Sequence, residues 1–188
     1  MLETNRRIFH ITTGTILALL INYGILTLKE VFLLILLSIW LSFLAKHIRI
    51  PILHQVLPIL ERKQNLLHMP GIGVITFLAG TALALYLYSH TIAIASLLIL
   101  TFGDGIAGLI GPHGTNPYFN PKKMWEGIIA GILIATIFAQ LLVPIIPALI
   151  ASTIAMLLEG LDLRIGSKKI DDNLLIPVVA GAVLTFLS

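Results

Sequence analysis

The stretch Leu97-Leu98-Ile99-Leu100-Thr101-Phe102-Gly103-Asp104-Gly105-Ile106-Ala107-Gly108-Leu109-Ile110-Gly111 places one carboxylate in an otherwise apolar, glycine-rich run. Continued back to Thr91, the run is long enough to be a membrane helix, since about 20 residues at 1.5 Å each cross the hydrocarbon core and a helix satisfies its own backbone there. An ionised Asp104 in such a span costs about 2.5–3.5 kcal/mol at the centre and less near the end. Something must compensate for it. Gly103, Gly105, Gly108, Gly111 and Gly114 remove side chains nearby, so that either a neighbouring helix or a phosphate can approach the backbone closely.

The rest of the chain agrees with a lipid environment. Its 188 residues are 57% hydrophobic and only 11% charged, and the mean hydropathy is +1.01. A disordered chain or a polar nucleic-acid arm carries no such runs, so nucleic acid is not an expected partner. The absence of cysteine excludes disulfides, thiolate catalysis and Cys-ligated metals. Apolar runs predict an all-α, polytopic membrane protein, residues 1–188 forming one domain, with about seven spans near Ile8–Leu28, Val31–Ala45, Gly71–Tyr88, Thr91–Gly111, Glu126–Ile146, Ala148–Leu161 and Asn173–Ser188. The sixth and seventh are short for a crossing. The first is too long for a signal h-region and has no small-residue cleavage site, so it is expected to stay.

With seven spans, the N-terminus and loops 46–70, 112–125 and 162–172 share one side. That side holds eleven of the twelve lysines and arginines (Arg6, Arg7, Lys46, Arg49, Arg62, Lys63, Lys122, Lys123, Arg164, Lys168 and Lys169), leaving Lys29 opposite. The positive-inside rule makes it cytoplasmic and the C-terminus external. The acids follow, with only Glu30 outside. Chemistry is therefore expected at the cytoplasmic interface. Loop 46–70, with Pro51 and Pro58 among apolar residues, reads equally as an interfacial cover over a site or as a surface linker.

Three further clusters stand on that side. Lys122-Lys123, ahead of Glu126-Gly127 at a helix start, suits phosphate oxygens, since a helix N-terminus offers free N–H groups and the positive end of its dipole. The same lysines beside Trp125 also suit topology anchoring, and Glu126 suits a first-turn acid. Glu159, Asp172 and Asn173 are hard oxygen donors fit for Mg2+, although Asp171-Asp172-Asn173 is also an ordinary helix cap. Arg6 and Arg7 orient the first span or meet anionic groups. His10, one turn inside, either bonds Asp104, approaches a lipid head group or packs between helices.

Taken together, Arg6-Arg7-x-x-His10-x-x-x-Gly14, Gly103-Asp104-x-x-Ala107-x-x-x-Gly111, Lys123-x-x-Glu126-Gly127, and Glu159 followed by Asp172-Asn173-x-x-x-Pro177 resemble the polyprenol kinase family, which includes dolichol kinase, phytol kinase and CTP-dependent diacylglycerol kinase. The motifs run in order almost end to end, departing from the family pattern at Met124 and Gly114. The resemblance implies phosphoryl transfer from a nucleoside triphosphate, characteristically CTP, to the hydroxyl of a membrane lipid alcohol at the bilayer's cytoplasmic face. It implies Mg2+ held by Asp104 with Glu126, Glu159, Asp172 and Asn173, and phosphates met by Arg6, Arg7, Gly103, Gly111, Lys122, Lys123 and Gly127. Asp104 and His10 are the expected catalytic pair, Asp104 as metal ligand or as acceptor of the hydroxyl proton. A phospholipid cytidylyltransferase needs similar machinery but would carry Gly-His-Gly-Gly and Asp-Arg-x-Asp stretches, which this chain lacks. A transporter would place polar residues in both halves of its spans.

Overall fold

The computed structural model describes residues 2–47, 66, 69–161, 163–166 and 168–187. Most of loop 46–70, with Arg49, Pro51, Pro58, Arg62 and Lys63, read from sequence as either a cover or a surface linker, lies outside the described residues. The fold is helical: α1 (Leu2–Asn22), α2 (Leu28–His47), α3 (Ile72–Leu87), α4 (His90–Leu98), a π-helical segment (Ile99–Asp104), α5 (Gly105–Ile110), a 3-10 turn (Gly111–His113), α6 (Trp125–Ala139), α7 (Ile145–Gly160) and α8 (Asp172–Leu187). Two short strands, β1 (Arg164–Ile165) and β2 (Lys168–Lys169), pair antiparallel around Gly166, whose φ of 62° suits a residue without Cβ. Because His90–His113 is continuous, the described helices form seven rods.

The first rod departs from expectation, spanning Leu2–Asn22 rather than Ile8–Leu28. Hydropathy excludes the polar residues at its start, yet a helix tolerates them where they pair, and Arg6 donates to Glu3 at 2.7 Å one turn back. The rod ends because Gly24 takes a φ of 70°, and the amides of Gly24 and Ile25 return to the Ile21 and Leu20 carbonyls. The next helix then starts on a capping box. Glu30 accepts from the Thr27 amide at 2.8 Å and from its hydroxyl, which explains the lone acid outside the charged end.

The rod His90–His113 is the axis of the bundle. α1 packs on α4 and α5, α3 on α4, α6 on α5 and the π segment, and α8 on α4 and the π segment. The crossing of α6 over this axis is built from small residues at helical spacing. A Cβ on Gly127 would lie 2.7 Å from the Ala107 carbonyl oxygen and 2.8 Å from Gly111 Cα, and one on Gly131 would lie 2.7 Å from the Gly103 oxygen. Close backbone approach of this kind joins helices in lipid, where apolar burial supplies little drive. Stacked Phe102 and Phe138 extend the contact, with centroids 3.5 Å apart.

On the opposite flank Pro177, inside α8, has no N–H to offer the Asn173 carbonyl. That carbonyl oxygen abuts Gly80 of α3, where a Cβ would collide with it. Tyr88 closes the far end of the same flank, donating to the Val178 carbonyl at 2.6 Å.

By length and composition, α2 and the rod His90–His113 are each apolar enough to cross a membrane. α2 packs chiefly on α3 and leaves Phe32, Leu33, Leu36, Leu37, Trp40 and Phe43 exposed.

Candidate functional site

Helix termini from distant parts of the chain meet at one end of the axis. α1 brings Arg7 and His10, the π segment ends on Asp104, the loop before α6 brings Lys123, α7 ends with Glu159, and α8 begins with Asp172. The π turn adds a residue per turn to the rod, and all six of its residues, Asp104 included, are buried.

Arg7 Nη1 donates to the Asp104 carboxylate at 2.5 Å and to its backbone carbonyl at 3.2 Å, so the guanidinium neutralises the buried acid at a fixed angle. Gly108 makes room for it, since a Cβ there would strike the guanidinium. His10 Nε2 stands 3.9 Å from Asp104 Oδ2, beyond hydrogen-bond length, and has no other hydrogen-bond partner. Its ring meets Phe77 of α3 edge-on, with centroids 5.0 Å apart.

Lys123 pairs with Glu159, which is 1% exposed, and Lys169 pairs with Asp172 at 3.1 Å. One carboxylate oxygen on each acid, Glu159 Oε2 and Asp172 Oδ1, is buried without a hydrogen-bond partner. Ligand atoms from Asp104, Glu159 and Asp172 lie within 4.8 Å of one another. Three hard-oxygen donors at that separation, Asp104 and Glu159 buried and Asp172 half-buried, two of them with an oxygen to spare, fit a small divalent cation.

Of the expected metal ligands the structure unites these three. Glu126 is occupied elsewhere, accepting from the amides of Thr115 and Asn116 at 2.9 and 3.1 Å and from the Asn116 side chain at 2.7 Å. Asn173 donates to Thr76 of α3 at 2.9 Å and so ties α8 to α3. The Asp-Asp-Asn run divides its labour, because Asp171 caps the helix through the Asn173 amide at 2.9 Å while Asp172 joins the cluster.

Among the expected phosphate-binding residues, Arg7 and Lys123 lie in the cluster, Arg6 pairs with Glu3, and Lys122 is exposed. Gly103 and Gly127 serve helix contact: a Cβ on Gly103 would lie 2.6 Å from Met156 Sδ, and Gly127 faces the Gly111 backbone. Sequence reasoning missed Thr115, Asn116, Tyr118 and Phe77, which carry no charge and follow no periodicity. Only the polar Thr-Asn pair ahead of an aromatic hinted at a structured loop.

Fold and site together define a helical bundle with at least two membrane-length apolar rods and a buried acid–base cluster at one end. No family model matches the chain, and no solved structure matches it. It is 26% identical over 187 residues to an uncharacterized protein of the archaeon Methanocaldococcus jannaschii, a likeness covering 95% of this chain and 93% of that protein.

Proposed function

We propose that the protein is a seven-span membrane enzyme, N-terminus cytoplasmic and C-terminus external, that transfers the terminal phosphate of a nucleoside triphosphate, CTP foremost, to the hydroxyl of a polyprenol- or dolichol-type lipid alcohol. The observation that carries this reading is the convergence of Asp104, Glu159 and Asp172 within 4.8 Å, with Arg7 and Lys123 paired to the first two. Phosphoryl transfer asks for positioning and charge neutralisation more than covalent help, and such a cluster offers both.

Asp104, Glu159 and Asp172 would hold Mg2+, which supplies charge neutralisation across the phosphates. Lys123 and Arg7 meet phosphate oxygens as point charge and fork respectively. The lipid oxygen attacks the terminal phosphorus, the bond to the bridging oxygen breaks, and the nucleoside diphosphate leaves. His10, whose Nε2 has no partner beside Asp104, is the group placed to take the hydroxyl proton. Seven rods among the described residues, a sequence that gives eleven of its twelve lysines and arginines to the segments seven spans would leave on one side, and Tyr23, Tyr86 and Phe186 exposed at helix ends support the multi-pass placement.

The test incubates purified protein with Mg2+, terminally labelled CTP or ATP, and polyprenol, a phytol-like alcohol or diacylglycerol. Label in a lipid monophosphate is expected; no labelled lipid from any pairing overturns the kinase reading. Release of pyrophosphate with a cytidine-bearing lipid would establish the cytidylyltransferase instead. Reporter fusions are expected to place the C-terminus outside, and a cytoplasmic C-terminus ends the seven-span arrangement.

A further inference from the structure

Glu126 stands at the start of α6 in the motif expected to bind metal, yet its hydrogen bonds point the other way. Its Oε1 accepts from the Thr115 amide at 2.9 Å and hydroxyl at 3.2 Å, and from the Asn116 amide at 3.1 Å and side chain at 2.7 Å. Gly114 sits against the other oxygen, and a Cβ there would come within 2.6 Å of Oε2. The carboxylate thus gathers one end of the loop onto the helix N-terminus, where a negative charge is also favoured by the dipole.

The loop so gathered is a hairpin. The Trp125 amide donates to the Asn116 carbonyl at 2.9 Å, the Tyr118 amide to the Lys123 carbonyl at 2.8 Å, and the Lys123 amide to the Asn120 carbonyl at 2.9 Å. Both backbone groups of Lys123 are therefore pinned. A second fastening comes from Tyr118, which is buried against Trp125 edge-on with centroids 4.7 Å apart. The ring also covers Gly160, where a Cβ would lie 2.8 Å from it, beside Glu159 on α7. A lysine has a flexible stem with much rotamer freedom to lose. Here its backbone is held through both its N–H and its carbonyl, and its ammonium reaches Glu159.

We infer that Glu126 is a positioning residue: it latches the Gly114–Trp125 hairpin so that Lys123 is delivered to the acid cluster, where it meets the phosphates of the nucleotide. The inference rests on the kinase reading for the identity of the anion, but not for the latch.

Four variants separate latch from ligand. In Glu126→Gln a carbonyl oxygen remains where Oε1 accepts its bonds, so nucleotide KM stays within about twofold of the parent. In Glu126→Ala the nucleotide KM rises about tenfold, with lipid KM unchanged, as expected when hydrogen bonds to a charged group are lost. Lys123→Met gives a rise of similar size, and Glu126→Ala/Lys123→Met is no worse than Lys123→Met alone, because both act through one ammonium. The Mg2+ requirement of Glu126→Gln matches the parent's.

Glu126→Gln as impaired as Asp172→Asn, with a raised Mg2+ requirement, would make Glu126 a metal ligand and overturn the inference. Additive losses in the double variant would overturn it too. Hydrogen exchange at the Thr115 and Asn116 amides gives a readout independent of turnover, expected to quicken in Glu126→Ala and to stay slow in Glu126→Gln. If the parent phosphorylates no lipid, the kinase reading fails while the exchange result still decides the latch; unchanged exchange in Glu126→Ala sinks the latch whatever the activity.

Discussion

α2 and the rod His90–His113 pass the same test of length and apolarity, with 20 and 24 residues, yet 17% of the first and 67% of the second is buried within their most apolar windows. The difference lies in side-chain size. α2 carries Phe32, Leu33, Leu36, Leu37, Trp40 and Phe43 on a face that no described helix covers, whereas the axial rod carries the small residues Gly103, Gly105 and Ala107 where other rods cross it. In hydrocarbon, large apolar side chains gain little by moving from lipid to protein, while small ones allow backbone contact and let a polar group find partners. Hydropathy thus selects the rods, and small residues choose which of them becomes the axis. The axis then has the surroundings that a carboxylate needs.

The largest effect should follow from removing that carboxylate. Asp104→Asn is expected to lower turnover by about 10²–10³-fold or more, the scale of a lost electrostatic contribution in a closed site. It also strands Arg7, and breaking a buried pair costs about 3–5 kcal/mol, so thermal unfolding in detergent should fall with activity. The double variant Arg7→Met/Asp104→Leu removes both charges and should regain stability without regaining turnover. Near-normal turnover in Asp104→Asn would remove the axial acid from the chemistry and leave the two rods alike in function.

A cation in the middle of each rod sharpens the contrast. Leu36 of α2 is 57% exposed, and Leu36→Lys should cost about 2.5–3.5 kcal/mol of insertion free energy if that face meets lipid. The fraction of chains inserted, read with a glycosylation reporter, measures it. In water the same change would fall within about 0.5 kcal/mol, and that result would place α2 outside the bilayer. Leu100 of the axis is fully buried, and Leu100→Lys is expected to prevent folding in either solvent.

Much of this was legible in the sequence, for identifiable reasons. Apolar runs of helical length located the rods from α2 onward to within a few residues, apart from the fifth span, expected to run to Ile146 and ending at Ala139, because one variable, apolarity, dominates there. The first rod was misplaced because pairing of Glu3 with Arg6 and the turn at Gly24 are local events that hydropathy ignores. At the site, segregation of charge put Arg7, Asp104, Lys123, Glu159 and Asp172 on one side together with Arg6, Lys122 and Glu126, and the structure joins the first five. Segregation could not divide Asp171 from Asp172, or tell that Glu126 turns back to its own loop. Those choices depend on side-chain direction at a helix start, where one residue's shift swings a carboxylate through about 100°. The π segment left no trace either, since an extra residue in a turn alters no pattern that apolarity can report.

The smallest effect tests the packing half of the comparison. Gly127 of α6 lies over the axis, where the atoms nearest an added Cβ are all backbone, the Ala107 oxygen at 2.7 Å and Gly111 Cα and nitrogen at 2.8 and 3.0 Å. None of these atoms can rotate away, so Gly127→Ala must part the two helices, an overpacking cost of about 1–3 kcal/mol. The gain in helix propensity returns about 1 kcal/mol, leaving a modest net destabilisation to be read from unfolding in mixed micelles. Gly111 is the control on the facing element, because a Cβ there meets nothing within 4 Å, and Gly111→Ala should lie within about 0.5 kcal/mol of the parent. If Gly127→Ala stabilises the protein as much as a surface glycine replacement does, the crossing is looser than these distances require. The position of the axial rod would then rest on its buried ion pair and not on its small residues.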